Sequence, residues 1–243
     1  MTTVLLPRPA GTDADAALLE RAGVTPVADP YVEIRQLVDA AAMAERVRLA
    51  ALLPTAALVI TSARALGALI DHVEVDRTTR VYAIGATSAN ACRAAGFTHL
   101  HTPDDGADNV ALTRLLARER PAEIVIPRSS AAPSSLVDDL RALGIDVHDA
   151  VLYSTTTIAE QPPSVAALAA GDFDAVIVRS GSAARALAHY VSEWPVLTRV
   201  IAAGRSTALV LREVGIPVSA IATQPDSASV VATTLRTIGG SSA

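Results

Sequence analysis

The chain has 243 residues, 51% of them apolar, with a net charge of −5, which allows one large core or two smaller ones and leaves little room for disorder. All 20 basic residues are Arg, which excludes a Walker A lysine, a Schiff-base lysine and a lysine general base. The acidic balance and 3% aromatic content argue against a broad DNA-binding face or a base-stacking RNA module, and Cys92, the lone cysteine, excludes an internal disulfide or thiolate zinc site.

In chain order, "VLLP" reads as a short apolar strand, too brief before Pro7 for a signal h-region. Thr12 or Asp13 is placed to cap the helix that follows, which Gly23 closes. "VADPYVEIRQ" (27–36) reads as extended. "LAALLPTAALVI" is the longest apolar patch, but Pro54 breaks it and it falls short of a membrane span. Its second part is a buried strand that ends in the turn Thr61-Ser62-Ala63-Arg64.

"VYAIGATSANACRAAGF" (81–97) predicts a strand, a turn at Gly85 and a helix that buries Cys92 and ends at Gly96. His99 and His101 share a strand face ahead of Asp104 and Asp105, without the third well-spaced ligand that a metal would need. Asp108 is predicted to cap "NVALTRLLARE".

The same series then returns at an offset of about 120 residues. "EIVIPR" matches the opening strand, "DLRALGIDVH" the first helix end, and "VHDAVLYSTTT" (147–157) a second extended join. "DAVIVRSGSA" matches the Ser62 strand and turn, with Ser180 and Ser182 in place of Ser62. "VIAAGRSTALVLREVGI" matches 81–97, with Gly215 closing its helix, and Ser229 is predicted to cap the last one. Each half thus reads as strand, helix, strand, helix, strand, helix, short strand, helix, a doubly wound α/β pattern built on parallel sheets.

Gly85-Ala-Thr-Ser-Ala89 and Gly204-Arg-Ser-Thr-Ala208 set hydroxyl residues at strand-to-helix turns, where free backbone N–H groups and the helix dipole suit a carboxylate or phosphate. The plainer alternative makes Thr87, Ser88, Ser206 and Thr207 simple helix caps. Arg8 and Arg128 follow strand-end prolines, and Arg64 and Arg205 lie in turns; as a set they suit several carboxylates, though each alone reads as a surface charge. No G-x-S-x-G elbow or G-x-G-x-x-G after a strand is present.

These residues resemble the uroporphyrinogen-III synthase family over nearly the whole chain. The carrying pieces are the strand with "PRP", "VITSAR", "YAIGATSANACRAAGF", "EIVIPR", "DVHDAVLYST", "FDAVIVRSGSA" and "VIAAGRSTALVLREVG", in that order. The resemblance implies two α/β lobes with an active-site cleft between them: 1–33 plus 158–243, and 38–150. A two-stranded β-ladder, 27–37 and 150–157, would join them.

It also implies an enzyme without a cofactor or metal that closes hydroxymethylbilane, a linear many-carboxylate tetrapyrrole, into a macrocycle. The last pyrrole (ring D) is inverted, with loss of water and a spiro intermediate. Tyr153 matches the tyrosine near the leaving hydroxyl, Ser62 and Arg64 the "TS-x-R" turn, Ser180 and Ser182 its counterpart, and Arg8 the arginine after the first strand. Thr87, Ser88, Ser206 and Thr207 lie in the turns that would hold substrate carboxylates, facing each other across the cleft.

The chain departs from the pattern at Pro7, Ser154, the "SSAAPSSL" run and Arg179. These departures support an alternative, a diverged non-catalytic domain of the same fold that binds tetrapyrroles or small anions. A cytoplasmic monomer is expected, with transient contacts to neighbouring enzymes of haem biosynthesis and no nucleic-acid or membrane partner.

Overall fold

The computed structural model describes residues 1–8 and 14–240, so the cap expected from Thr12 or Asp13 lies outside the described residues. The first half contains β1 (Thr3–Leu6), α1 (Ala14–Arg21), β2 (Thr25–Ala28), β3 (Val32–Gln36), α2 (Ala40–Leu52) and β4 (Ala57–Ile60). It continues through α3 (Ala63–Ile70), β5 (Val81–Ala83), α4 (Ala86–Ala94), β6 (Leu100–His101) and α5 (Asn109–Glu119). The second half contains β7 (Glu123–Ser129), α6 (Ser135–Ala142), β8 (Asp146–Thr157), α7 (Ser164–Ala170) and β9 (Ala175–Val178). α8 (Gly181–Tyr190), β10 (Arg199–Ala202), α9 (Arg205–Glu213), β11 (Ala220–Ile221) and α10 (Ser227–Gly239) complete it.

The chain divides into two compact units, Met1–Glu33 with Thr156–Ala243, and Ile34–Thr155. In the first, the sheet order is β11-β10-β9-β1-β2, with every pairing parallel. In the second, the order is β3-β8-β7-β4-β5-β6, parallel from β8 to β6. Each sheet sets the opening strands of one half (β1 and β2, or β7 and β8) beside the closing strands of the other. Parallel neighbours need a crossover, which the intervening helices provide.

Nearly continuous apolar strands fill both faces of each sheet, because successive residues point to opposite sides. In the first unit Leu5, Val176, Val178 and Val200 enter one core, while Val4, Ala175, Ile177 and Ile201 enter the other. In the second, Leu58, Ile60, Val81 and Val125 alternate in the same way with Val59, Tyr82, Ile124 and Ile126.

Three features differ from the sequence reading. α2 and α7 follow the extended joins and extend the expected eight elements per half; their Ala-rich sequences carry only a faint apolar stripe. The segment 27–36 is two strands: the Asp29 N–H still bonds the Leu6 carbonyl at 3.0 Å as a rung of the β1–β2 ladder, and Pro30, which has no N–H for a ladder, separates β2 from β3. The last helix is capped by Asp226, which accepts from the Ser229 N–H at 2.8 Å, while the Ser229 hydroxyl accepts from Gln224 N–H. Gly96 and Gly215, at φ 90° and 80°, end α4 and α9 in the left-handed region as expected.

Candidate functional site

In open parallel sheets the carboxyl ends of the strands present the helix N-termini, and ligands bind there. In the second unit, β4 ends at Ile60 and the chain turns through Ser62, the N-cap of α3. The Ser62 hydroxyl accepts the Arg64 N–H at 3.1 Å and the Ala65 N–H at 3.3 Å, and lies 3.3 Å from the Tyr153 hydroxyl.

A serine oxygen offers two lone pairs and one proton. With both lone pairs taken by backbone N–H groups, the proton is what Ser62 has left to give Tyr153. Either hydroxyl can donate across this 3.3 Å contact; donation by Ser62 leaves the phenol proton for another acceptor.

Tyr153 is 7% exposed, and its ring packs in the core that contains Ala65, Leu66 and Leu69. It sits at a β-bulge: Val151 faces Arg128 and Tyr153 faces Ser129, so Leu152 is the extra residue of β8. Bulges beside active sites re-aim a side chain. The Tyr153 carbonyl accepts the Ser130 N–H at 2.9 Å, which holds the strand just beyond the bulge.

α4 and α9 begin differently. Their N-caps are Gly85 and Gly204, and neither helix has a side-chain cap hydrogen bond. Thr87, Ser88, Ser206 and Thr207 stand inside the first turn, with Ser88 and Thr207 buried and Thr87 and Ser206 exposed. The plain cap reading of these hydroxyls does not hold. The first-turn N–H groups have no intrahelical partner. A Cβ on Gly85 would meet Ala107 Cβ at 2.6 Å, while one on Gly204 would meet nothing within 4 Å. Ser62 and Ser180, in contrast, cap their own helices, Ser180 through the Ala183 N–H at 3.2 Å. Ser182 bonds the Ser180 hydroxyl at 3.0 Å.

The arginines separate into two groups. Arg8 donates to Asp15 at 2.8 Å, and Arg179 reaches both oxygens of the same carboxylate at 3.0 Å. Asp15 is fully buried. Burial pushes its carboxyl up, but the Ser227 hydrogen bond and the two guanidinium groups outweigh this and hold it below its ordinary 3.8. Arg128 is bound to Asp149 at 2.7 Å, with Arg141 on the other oxygen at 3.0 Å. Arg64 and Arg205 are exposed in the first turns of α3 and α9, without an ion pair among the described residues.

Tyr153, Ser62 and Arg64 therefore belong to one constellation in the second unit, which also contains Thr87 and Ser88 at the start of α4. Arg8, Ser180, Ser182, Ser206 and Thr207 lie in the first unit. Sequence reasoning missed Asp15 and Asp149, whose partners are fixed only by tertiary structure. Cys92 is buried as expected, and its thiol is pushed up to about 11 by burial. His99 bonds the Thr78 carbonyl at 2.9 Å, and His101 stacks on Tyr82 with ring centroids 5.1 Å apart. Among the described residues the grouping with metal-ligand reach is Glu123, Asp146 and His148, at the starting end of β7 and β8 and so at the other end of that sheet from the Ser62 turn.

A sequence model of the family described as "Uroporphyrinogen-III synthase HemD" matches residues 13–232. A mutant uroporphyrinogen III synthase from Thermus thermophilus is similar in structure, with a TM-score of 0.68 and 18% identity over 99% of this chain and 100% of that one. Uroporphyrinogen-III synthetase from Helicobacter pylori has a TM-score of 0.60 and 21% identity, covering 96% and 97% of the two chains. A search of curated proteins gave no match. Among the described residues no helix is long and apolar enough to cross a membrane.

Proposed function

The chain belongs to the uroporphyrinogen-III synthase family, and we propose that Tyr153 and the strand-end turns carry that family's cyclisation of hydroxymethylbilane. The reaction is a lyase step in porphyrin and haem biosynthesis. Nothing in the relatives favours the non-catalytic alternative.

The observation that supports the site assignment is the 3.3 Å contact between the Tyr153 and Ser62 hydroxyls, with two backbone N–H groups already on the Ser62 oxygen so that its proton can turn to the phenol. As the hydroxymethyl C–O bond breaks, its electron pair leaves with oxygen, and the Tyr153 proton completes a water molecule. The Ser62 hydroxyl then donates to the phenolate that remains, and lowers the cost of forming it. The electrophilic methylene pyrrole left behind is attacked by the substituted α-carbon of ring D to give the spiro intermediate. The bond from that carbon to its original methylene bridge then breaks and re-forms at the ring's free α-carbon, which inverts ring D. The proton lost from the free α-carbon returns to the phenolate.

Positioning supplies the rest, because the intermediate is reactive and competes with uninverted closure. The uncapped N-termini of α4 and α9 hold substrate carboxylates on the N–H groups around Thr87, Ser88, Ser206 and Thr207. Arg64, exposed in the first turn of the helix that Ser62 caps, neutralises a further carboxylate. Ser180 and Ser182 line the matching turn of the first unit, and Arg8 contributes positive charge there while Asp15 fixes its direction. A cytoplasmic monomer that needs no cofactor, with transient contacts to enzymes that supply its substrate, completes the proposal.

The test is to give purified protein fresh hydroxymethylbilane and resolve the oxidised porphyrin isomers. Isomer III supports the reading; isomer I alone, at the spontaneous rate, overturns it.

A further inference from the structure

Arg46, in the middle of α2, is fully buried, an unusual place for a guanidinium. All three of its nitrogens donate to backbone carbonyls. Nε reaches Ala68 in α3 at 2.7 Å, one terminal nitrogen reaches Leu37 just past β3 at 2.6 Å, and the other reaches Leu152 in β8 at 3.1 Å. No carboxylate forms an ion pair with it among the described residues.

Each acceptor has a place in the Tyr153 geometry. Leu152 is the extra residue of the bulge, so its carbonyl falls outside the β7 ladder and accepts instead from the Leu37 N–H at 3.0 Å and from Arg46. The next residue is Tyr153. Ala68 lies in α3, the helix whose N-cap Ser62 meets the phenol. One rigid, planar group thus ties the strand that carries the phenol to the helix that carries its partner.

We propose that Arg46 is a positioning residue for the reaction: by holding the Leu152 bulge and α3 together, it sets the Tyr153–Ser62 distance. This rests on the reading of Tyr153 as the proton donor. A methionine fills the volume without donors, and a lysine keeps the charge but cannot reach three diverging carbonyls from one nitrogen. The substrate-holding turns at Gly85 and Gly204 are left intact by either change.

The experiment is a double-mutant cycle on full-length protein, with isomer III formation as the readout. Arg46→Met and Arg46→Lys should each lower kcat by about tenfold or more, with KM within about twofold, since sub-ångström to ångström misplacement of a reacting group has effects of this order. In a Tyr153→Phe background the same changes should lower kcat by less than about twofold, because the group they position is gone. Where Arg46→Met fails to fold by thermal melting, Arg46→Lys carries the test.

An equal loss in both backgrounds, or wild-type kcat in the Arg46 variants, overturns the proposal. Near-normal kcat in Tyr153→Phe alone would instead overturn the Tyr153 reading on which it rests. The two failures are therefore distinguishable.

Discussion

The Ser62 hydroxyl lies 3.3 Å from the Tyr153 hydroxyl while accepting two backbone N–H groups at the start of α3. This one contact joins a local requirement, capping a helix, to a chemical one, directing a phenol proton. Ser62→Ala should therefore show two separable losses. Loss of the cap costs about 1 kcal/mol of stability, read as a lower melting temperature. The rate of isomer III formation should fall as well. Ser180→Ala removes the equivalent cap from α8 and should cost similar stability with a smaller loss of rate. Equal effects on rate would count against a special role for Ser62.

Asp15 gives a pH signature. Its carboxyl is held below the ordinary 3.8 in the folded protein by Ser227, Arg8 and Arg179 against the opposing effect of burial. Its contribution to stability is thus complete above the unfolded-state value, and is lost as the pH falls through the lower folded-state value. Asp15→Asn should cost about 3 kcal/mol at neutral pH, and the gap to wild type should narrow below about pH 4. Chemical denaturation at pH 7 and pH 3.5 measures both; a gap that stays constant would contradict the assignment.

Gly85 and Gly204 occupy equivalent caps with different surroundings. Gly85→Ala drives a methyl group into Ala107 and should destabilise by about 1–3 kcal/mol. Gly204→Ala meets open space and should cost less than about 1 kcal/mol. If a substrate carboxylate sits on the α9 N-terminus, the added methyl group should still raise KM. Unfolding curves and steady-state kinetics on the two variants separate these effects.

Cys92 is fully buried and its thiol is pushed up to about 11. Native protein at pH 8 should resist iodoacetamide, with alkylation appearing only as the chain unfolds in denaturant. Mass spectrometry reads this directly, and rapid stoichiometric labelling of native protein would contradict it.

Much of the fold was legible because the strands are short, apolar and bounded by clear turns. "ALVI" and "AVIV" are buried along their whole length, and such runs have few other places to go than the middle of a covered parallel sheet. The glycine and hydroxyl turns were visible for the same reason. α2 and α7 were not, since alanine supports a helix without marking which face is buried. Asp226 and Ser229 stand three residues apart, and either could cap α10; the choice went to Asp226 because the Ser229 hydroxyl is engaged by Gln224 and Thr223.

The polar interior was the least legible. Arg46 belongs to no sequence motif, and nothing local announces that three carbonyls from separate elements converge on it. Arg179 looked like the loss of a family hydroxyl, yet with Arg8 it brackets a buried carboxylate. These pairings depend on which strands become neighbours, and a linear pattern does not contain that.

The central chemical claim is that the phenol proton of Tyr153 leaves with the hydroxyl of hydroxymethylbilane. The most direct measurement is the rate of isomer III formation by Tyr153→Phe beside wild type, with circular dichroism and thermal melting to establish that both are folded. Loss of a general acid should slow the folded variant by about 100-fold or more, with isomer I accumulating from the substrate it fails to capture. Near-normal formation of isomer III by Tyr153→Phe would contradict the claim.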